Sequence, residues 1–345
     1  MSVHFTNFPE ILAKSIYSSN PSSTTSSISK IAATLLMILQ QKSGKTFFFF
    51  PSSKPSQILI SFYLNFPLQI DDLEFKLDSL KLGDSLLKNW PQIMFGPIAN
   101  EDINPVSIIP LEIPESLKYI DVGLRIAFIE TSILCENILD KEYTSHSHQV
   151  MIHGLSTCCS FITSIISKTS DILISQNESS ITNPKTNSEY LQKINNMFTF
   201  SIQQGKEISA SLAEFVISTS KSSDPLTNGL SNQSILEISL PIQLFITIQS
   251  FFDDMIVDVD RMVQMVKIFA SIINISNNSV SPKLNHPTSE NTTHDLFEYS
   301  DTLNLISNEV QKFVSSANTL SPNSPEFESW KPVLKSSYYS KLSAV

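Results

Sequence analysis

Glycine is scarce in this chain, with only 7 among 345 residues. Dinucleotide-binding folds, phosphate-binding loops and turn-rich β architectures depend on glycine, because it adopts positive φ angles freely and lets a ligand approach the backbone closely. The shortage therefore argues against these three classes of fold.

Positive charge is also scarce. Charged residues make up 16% of the chain, the net charge is −10, and arginine occurs only at Arg125 and Arg261. A protein that binds nucleic acid carries a basic stripe or patch to neutralise phosphates. The composition thus argues against a nucleic-acid partner and against attraction of the whole surface to anionic lipid. A local lysine patch stays open.

Targeting and disulfide signals are missing as well. The three cysteines, Cys135, Cys158 and Cys159, are too few and too badly spaced for a disulfide framework. The first thirty residues contain no basic segment followed by an apolar run, so no signal peptide is predicted. No uninterrupted apolar stretch reaches the ~18 residues that span a bilayer. These absences predict a cytoplasmic protein without a transmembrane segment.

The chain is rich in apolar residues, at 41%, which at this length suffices for a large core without a disulfide or metal. In the first 90 residues the pattern is mixed. Helical spacing predicts helices over 26–41 and 71–88. Two runs of β-branched and aromatic residues, 46–50 and 57–64, predict a small β-hairpin.

The stretch 115–174 organises the remainder. Its apolar residues follow the helical period on both sides of a short polar joint, YTSHSH, which predicts two long antiparallel helices. Further helices are predicted over 187–220, 232–275 and 295–318. Pro241 should mark a first turn or a kink in the second of these.

The element order predicts a mainly α fold in a single domain, 1–345. Region 1–90 would hold the first helices and the β element, and region 115–320 a solenoid-like helical core. The polar stretch 277–293 is predicted to be a loop. Because the tail 321–345 has three prolines and little periodicity, we expect it to lie extended on the body or loose.

Several patterns imitate chemical sites. Residues 41–46 contain GKT, but the earlier glycine of a phosphate-binding loop is absent, and the helix and strand come in the wrong order. His146, His148 and His153, near Cys158 and Cys159, lack zinc-ligand spacing. No catalytic residue, metal or cofactor is predicted.

Four aspartates crowd the stretch 253–260, but no Glu-x-x-His motif accompanies them, so a dimetal site is not predicted. A solvated acidic face, or a docking site for a basic partner, is the favoured interpretation. The four residues are Asp253, Asp254, Asp258 and Asp260.

The order of elements resembles the BRO-one domain family, the ALIX-type domain of ESCRT-associated adaptors, over nearly the whole chain. SVHFTNFPEILAKSI is similar to the family's opening segment, QILISFYLNFPLQI to its strand, and RIAFIETSILCENILDKEY with HQVMIHGLSTCCSFITSIISKT to its paired helices. MFTFSIQQGKEI is similar to its Leu-Ala-Gln-Ala-Gln-Glu region, although Gly205 stands where the family usually has Glu. DVDRMVQMVKIFASI, FEYSDTLNLISNEV and PEFESWKPVLKSSYYSKL resemble its later helices and closing arm.

The resemblance implies an elongated, boomerang-shaped, TPR-like helical domain that acts as a non-enzymatic adaptor in endosomal sorting or membrane remodelling. Its partner would be the C-terminal helix of an ESCRT-III subunit, with membrane association through that partner. The binding residues would be Ile208, Leu212, Phe215 and Val216, although a core role is the favoured interpretation of these four residues.

Two other functions stay open. One is a helical scaffold subunit of another trafficking or cytoskeletal complex, in which the fold persists without ESCRT-III binding. The other is an enzyme, which would need a polar pocket with perturbed titratable groups.

Overall fold

A computed structural model describes residues 73–89, 91–95, 113–139, 145–178, 184–221, 231–279 and 292–344. Every regular element in these ranges is an α-helix, and no strand occurs in them. The mainly α prediction is therefore confirmed for this part of the chain. The predicted helix over 26–41 and the strands over 46–50 and 57–64 lie outside the described residues.

The described helices are numbered in chain order. In order they are α1 (Leu73–Asn89), α2 (Pro91–Phe95), α3 (Ile113–Leu139), α4 (Ser145–Glu178), α5 (Pro184–Lys221), α6 (Asn232–Gln249), α7 (Val259–Ser279), α8 (Thr292–Asn318), α9 (Pro325–Leu334) and α10 (Ser337–Leu342). The predicted helices over 71–88, 187–220 and 295–318 correspond to α1, α5 and α8 within three residues at each end. The predicted helical pair corresponds to α3 and α4, and most of its polar joint belongs to α4.

The prediction of one continuous helix over 232–275 is wrong. The chain forms two helices, α6 and α7, separated by a turn over 250–258. The buried side chain of Gln249 makes three hydrogen bonds to the backbone of this turn. Its Nε2 donates to the carbonyl oxygens of Phe252 at 3.2 Å and Asp254 at 2.9 Å, and its Oε1 accepts from the backbone N–H of Ile256 at 3.1 Å. Pro241, by contrast, lies inside α6 without ending it.

The prediction of an extended or loose tail from residue 321 is also wrong. The tail forms α9 and α10, each begun by a serine N-cap. Ser324 accepts from the backbone N–H of Phe327, and Ser336 from that of Tyr339. Pro325 is compatible with the helix because it occupies the first turn, where a helix needs no donor, whereas Pro332 lies inside α9 without ending it.

Two compact units make up the chain, and their boundaries fall within α3, α4 and α5. Unit 1 contains the described residues up to Ala127 and those within Ser164–Thr199, and unit 2 contains the described residues within Phe128–Thr163 and from Phe200 onward. That the whole chain is a single domain stays a prediction.

In unit 1, three polar side chains tie elements together across an apolar core. The buried hydroxyl of Tyr119 on α3 donates to the carbonyl oxygen of Ser79 on α1 at 3.0 Å, and that of Tyr190 on α5 donates to the carbonyl oxygen of Phe95 on α2 at 2.6 Å. The third is Ser164 on α4, which donates to Asp84 on α1. The fully buried apolar residues include Leu80, Leu87, Ile120 and Leu124.

In unit 2, α8 packs against α6 and α7, and the two C-terminal helices pack against α7. Aromatic rings join these helices: Phe269 on α7 meets Phe313 on α8 at a centroid distance of 5.4 Å, and Phe313 meets Trp330 on α9 at 5.8 Å. The indole N–H of Trp330 donates to the carbonyl oxygen of Asp253 at 2.8 Å. The C-terminal helices therefore belong to the core of this unit.

One helix among the described residues has the length and composition to cross a membrane, the stretch His148–Ser175 of α4. Core helices of globular proteins satisfy the same criteria, and 61% of the most apolar window of this stretch is buried. The absence of a transmembrane segment therefore stays a prediction.

Candidate functional site

The four residues predicted to bind a partner helix are all buried. Ile208 is 6% exposed, and Leu212, Phe215 and Val216 are 0% exposed. They lie on α5 in unit 2, and a partner could contact them only by displacing the side chains that cover them. This burial favours the core alternative for the four residues.

Close packing between α5 and α6 accompanies this burial. A Cβ atom placed on Gly205 of α5 would lie 2.8 Å from both Cγ1 and Cδ1 of Ile248 on α6, closer than real Cβ atoms approach another heavy atom. The glutamate that the BRO-one family usually carries here could not be accommodated with Ile248 in place. At the position that departs from the family pattern, any side chain larger than glycine requires the side chain of Ile248 to shift.

The histidines and cysteines considered for zinc do not converge in the part of the chain that the structure describes. His153 is exposed and His148 is half-buried, whereas Cys158 and Cys159 are fully buried; His146 is among the residues whose side chains are not described. Among the described residues no group of three His, Cys, Asp or Glu side chains is placed to hold a metal ion.

The three cysteines line one buried contact between α3 and α4 within unit 2. Burial raises the pKa of the Cys135 thiol to about 12, and Glu136 contributes further. Burial likewise raises the pKa of Cys158, which lies near Glu130 and hydrogen bonds with Thr131. Because the thiolate is the reactive form, thiols with a raised pKa are unreactive at neutral pH. These cysteines therefore serve as apolar packing residues.

The four aspartates of the stretch 253–260 are exposed and point to no common centre. Asp258 and Glu214 flank Arg261, whose Nε lies 3.2 Å from Oε2 of Glu214. The backbone N–H of Arg261 donates to Oδ1 of Asp258 at 2.9 Å, and this bond, followed by the guanidinium contact, lowers the pKa of Asp258. The stretch is a solvated acidic face with an ion-pair network at its edge, as the sequence favours.

One polar cluster in unit 1 was not found by sequence reasoning. Asp84 on α1 accepts from the hydroxyl of Ser164 on α4 at 2.6 Å, and the ammonium group of Lys88 lies 2.8 Å from its other oxygen. A serine, an aspartate and a lysine are residue types found in hydrolase sites. However, Ser164 donates to a carboxylate that already forms an ion pair with Lys88. The cluster therefore links α1 to α4 and is not a catalytic arrangement. No periodicity could reveal a pair 80 residues apart in sequence.

Two isoleucines form an exposed apolar pair among the described residues of unit 2. Ile129 is 58% exposed and Ile133 is 44% exposed, and both lie on α3. Because residues four apart share a helix face, the two side chains are adjacent. Single exposed apolar residues need no explanation, whereas these two neighbouring β-branched side chains form one continuous apolar patch on α3.

No protein-family model, curated protein or solved structure matches this chain. The resemblance to the BRO-one family therefore rests on the order and spacing of segments alone.

Proposed function

We propose that this protein is a non-enzymatic adaptor that binds an amphipathic helix of another protein. Following the resemblance, the partner is the C-terminal helix of an ESCRT-III subunit. The adaptor would act in the cytoplasm in endosomal sorting or membrane remodelling, and would reach the membrane through that partner.

The pair Ile129 and Ile133 is the observation that supports this proposal. An amphipathic helix recognises a partner through apolar residues at spacings of three, four and seven, and two isoleucines four apart offer a matching ridge. The buried face of the same helix is fixed by Leu134, Cys135 and Ile138, so the exposed ridge has a rigid support. The binding surface proposed here is thus on α3, because the residues that the resemblance implies are in the core.

The burial of Phe215 and its three neighbours also favours a second candidate function. If the ESCRT-III patch of the family has become core in this chain, the protein is a helical scaffold subunit of a different trafficking or cytoskeletal complex. Co-purification from the source organism separates the two functions, because only the adaptor copurifies with ESCRT-III subunits.

The test is a fluorescence anisotropy titration of labelled C-terminal helices of ESCRT-III subunits with the full chain. We expect saturable binding at micromolar concentration. The double substitution Ile129→Gln with Ile133→Gln should weaken it at least about tenfold, because truncating the central apolar contacts of an interface commonly costs that much. Glutamine is a good helix former and both positions are exposed, so the fold should persist.

The matched control is the pair Leu236→Gln and Leu305→Gln on α6 and α8. These leucines are 36% and 38% exposed, so the control removes comparable apolar surface from other helices. Binding unchanged by the control and lost in the α3 variant supports the proposal. If the α3 variant and the control variant bind the helix with equal affinity, the binding surface is not on α3. If the unsubstituted chain does not bind at high micromolar concentration, the result counts against the adaptor function itself.

A further inference from the structure

The turn between α8 and α9 carries two serine-proline dipeptides in close succession, Ser321-Pro322 and Ser324-Pro325. Proline has no backbone N–H and a fixed φ angle. A proline-directed kinase recognises these two properties in the residue that follows the serine it phosphorylates. The two dipeptides are equivalent as sequence. They differ in what the structure does with each hydroxyl.

Ser321 lies in an accessible turn. Ser321, Pro322 and Asn323 are all exposed, and the N–H of Ser324 donates to the carbonyl oxygen of Ser321 at 3.0 Å. This bond closes a four-residue turn with Pro322 at its second position, where proline is favoured. A kinase has to open only this turn to draw the segment into an extended conformation.

The hydroxyl of Ser324 is engaged and half-buried. It accepts from the backbone N–H of Phe327 at 3.1 Å as the N-cap of α9. Bringing Ser324 into a kinase cleft would unwind the first turn of α9, which also carries the buried Trp330 and its bond to the carbonyl oxygen of Asp253. Local opening of a packed helix is rarer than opening of an exposed turn.

We propose that Ser321 is a phosphorylation site for a proline-directed serine kinase and that Ser324 is protected from the same kinase by the fold. The γ-phosphoryl group of ATP is transferred to Oγ of Ser321. The new O–P bond forms as the bond to the bridging oxygen of ADP breaks, and the hydroxyl proton passes to the catalytic carboxylate of the kinase. The phosphate adds a charge of roughly −1.5 to −2 on a surface that faces solvent. This inference is independent of the proposed function.

The test uses the full chain with Ser281→Ala, which removes the remaining serine-proline dipeptide of the sequence. The protein is incubated with Mg-ATP and a purified proline-directed serine kinase, and mass spectrometry follows each phosphopeptide with time. We expect Ser321 to be modified at least about tenfold faster than Ser324, because the cap must open first. A synthetic peptide over 316–330 gives the reference, since it has no fold to protect Ser324.

Matched variants isolate each contribution. Ser321→Ala and Pro322→Ala should abolish the rapid phosphorylation, and Ser324→Ala should leave the rate at Ser321 unchanged. The proposal is overturned if the folded chain is modified as fast at Ser324 as at Ser321, or if the peptide is phosphorylated and Ser321 of the folded chain is not.

Discussion

At the scale of single residues, the close approach of α5 to α6 depends on the hydrogen side chain of Gly205. The substitution Gly205→Ala would place Cβ at 2.8 Å from Cγ1 and Cδ1 of Ile248. Both positions are buried, so the clash cannot be relieved into solvent. We expect a loss of about 1–3 kcal/mol in the free energy of unfolding, which is the usual effect of overpacking.

A double-mutant cycle with Ile248→Ala tests this contact, measured by urea unfolding. Alanine elsewhere in a helix is more stable than glycine by roughly 0.5–1 kcal/mol. In the Ile248→Ala background the clash is absent, so Gly205→Ala should become neutral or stabilising. If Gly205→Ala costs the same in both backgrounds, the two helices do not meet at this pair.

The buried thiol of Cys135 makes stability depend on pH under alkaline conditions. Its pKa is about 12 in the folded chain, compared with 9.0 for an ordinary thiol, because burial disfavours the thiolate. Between these values the unfolded chain has lost the proton and the folded chain keeps it. Stability is therefore fully present below pH 9 and falls as pH rises, with a slope of roughly 1.4 kcal/mol per pH unit for this group.

The variant Cys135→Ala lacks this titration. We expect its free energy of unfolding to fall less steeply between about pH 9.5 and 11, by roughly 1.4 kcal/mol per pH unit relative to the unsubstituted chain. The comparison uses slopes, so any constant loss from the cavity that alanine leaves does not affect it. Identical slopes would mean that Cys135 is open to solvent.

At the scale of elements, helical periodicity predicts most of what the structure contains. Helices α1, α3, α4, α5 and α8 follow from apolar residues at spacings of three and four. The break between α6 and α7 could not be predicted, because apolar residues occur on both sides of it and Gln249 shows no special pattern in sequence. The C-terminal helices were missed for a similar reason: helices of ten and six residues are too short to show a period, and their stability comes from packing against α7.

The break between α6 and α7 should depend on the side chain of Gln249, which is 5% exposed. Alanine at this position removes two donors and one acceptor. The buried N–H of Ile256 then loses its acceptor, and the carbonyl oxygens of Phe252 and Asp254 lose a donor. We expect Gln249→Ala to lower the free energy of unfolding by about 1–3 kcal/mol, the usual loss for unsatisfied buried groups. Thermal unfolding followed by circular dichroism provides the measurement.

Gln243→Ala is the matched control for this prediction. It makes the same substitution on the same helix, at a half-buried position six residues earlier. A melting temperature close to that of the unsubstituted chain is expected for the control. Equal losses in the two variants would show that helix α6 tolerates neither change and that the turn has no special dependence on Gln249.

At the scale of the whole molecule, the sequence could say that α5 has an apolar face but not what covers it. Leu212, Phe215 and Val216 have the same spacing whether they bind a partner or fill a core. The exposure of Ile129 and Ile133 could not be predicted either, because α3 is apolar on several sides. Only the packing of unit 2 determines which side stays exposed. Burial, which arises from contacts distant in sequence, decides both questions.

The substitution Phe215→Asp separates these roles for the molecule as a whole. Phe215 is 0% exposed, so aspartate would leave a cavity and an unpaired buried charge. Each effect alone costs several kcal/mol, against a total stability of about 5–15 kcal/mol for an ordinary domain. We expect the variant to lose its helical circular dichroism or its cooperative melt. Phe251→Asp, at a position 40% exposed, should keep both.

A Phe215→Asp protein that melts like the unsubstituted chain would place Phe215 on a surface and return the binding site to α5. Loss of the fold would mean that its failure to bind a partner says nothing about where that partner docks, so the binding test belongs on Ile129 and Ile133.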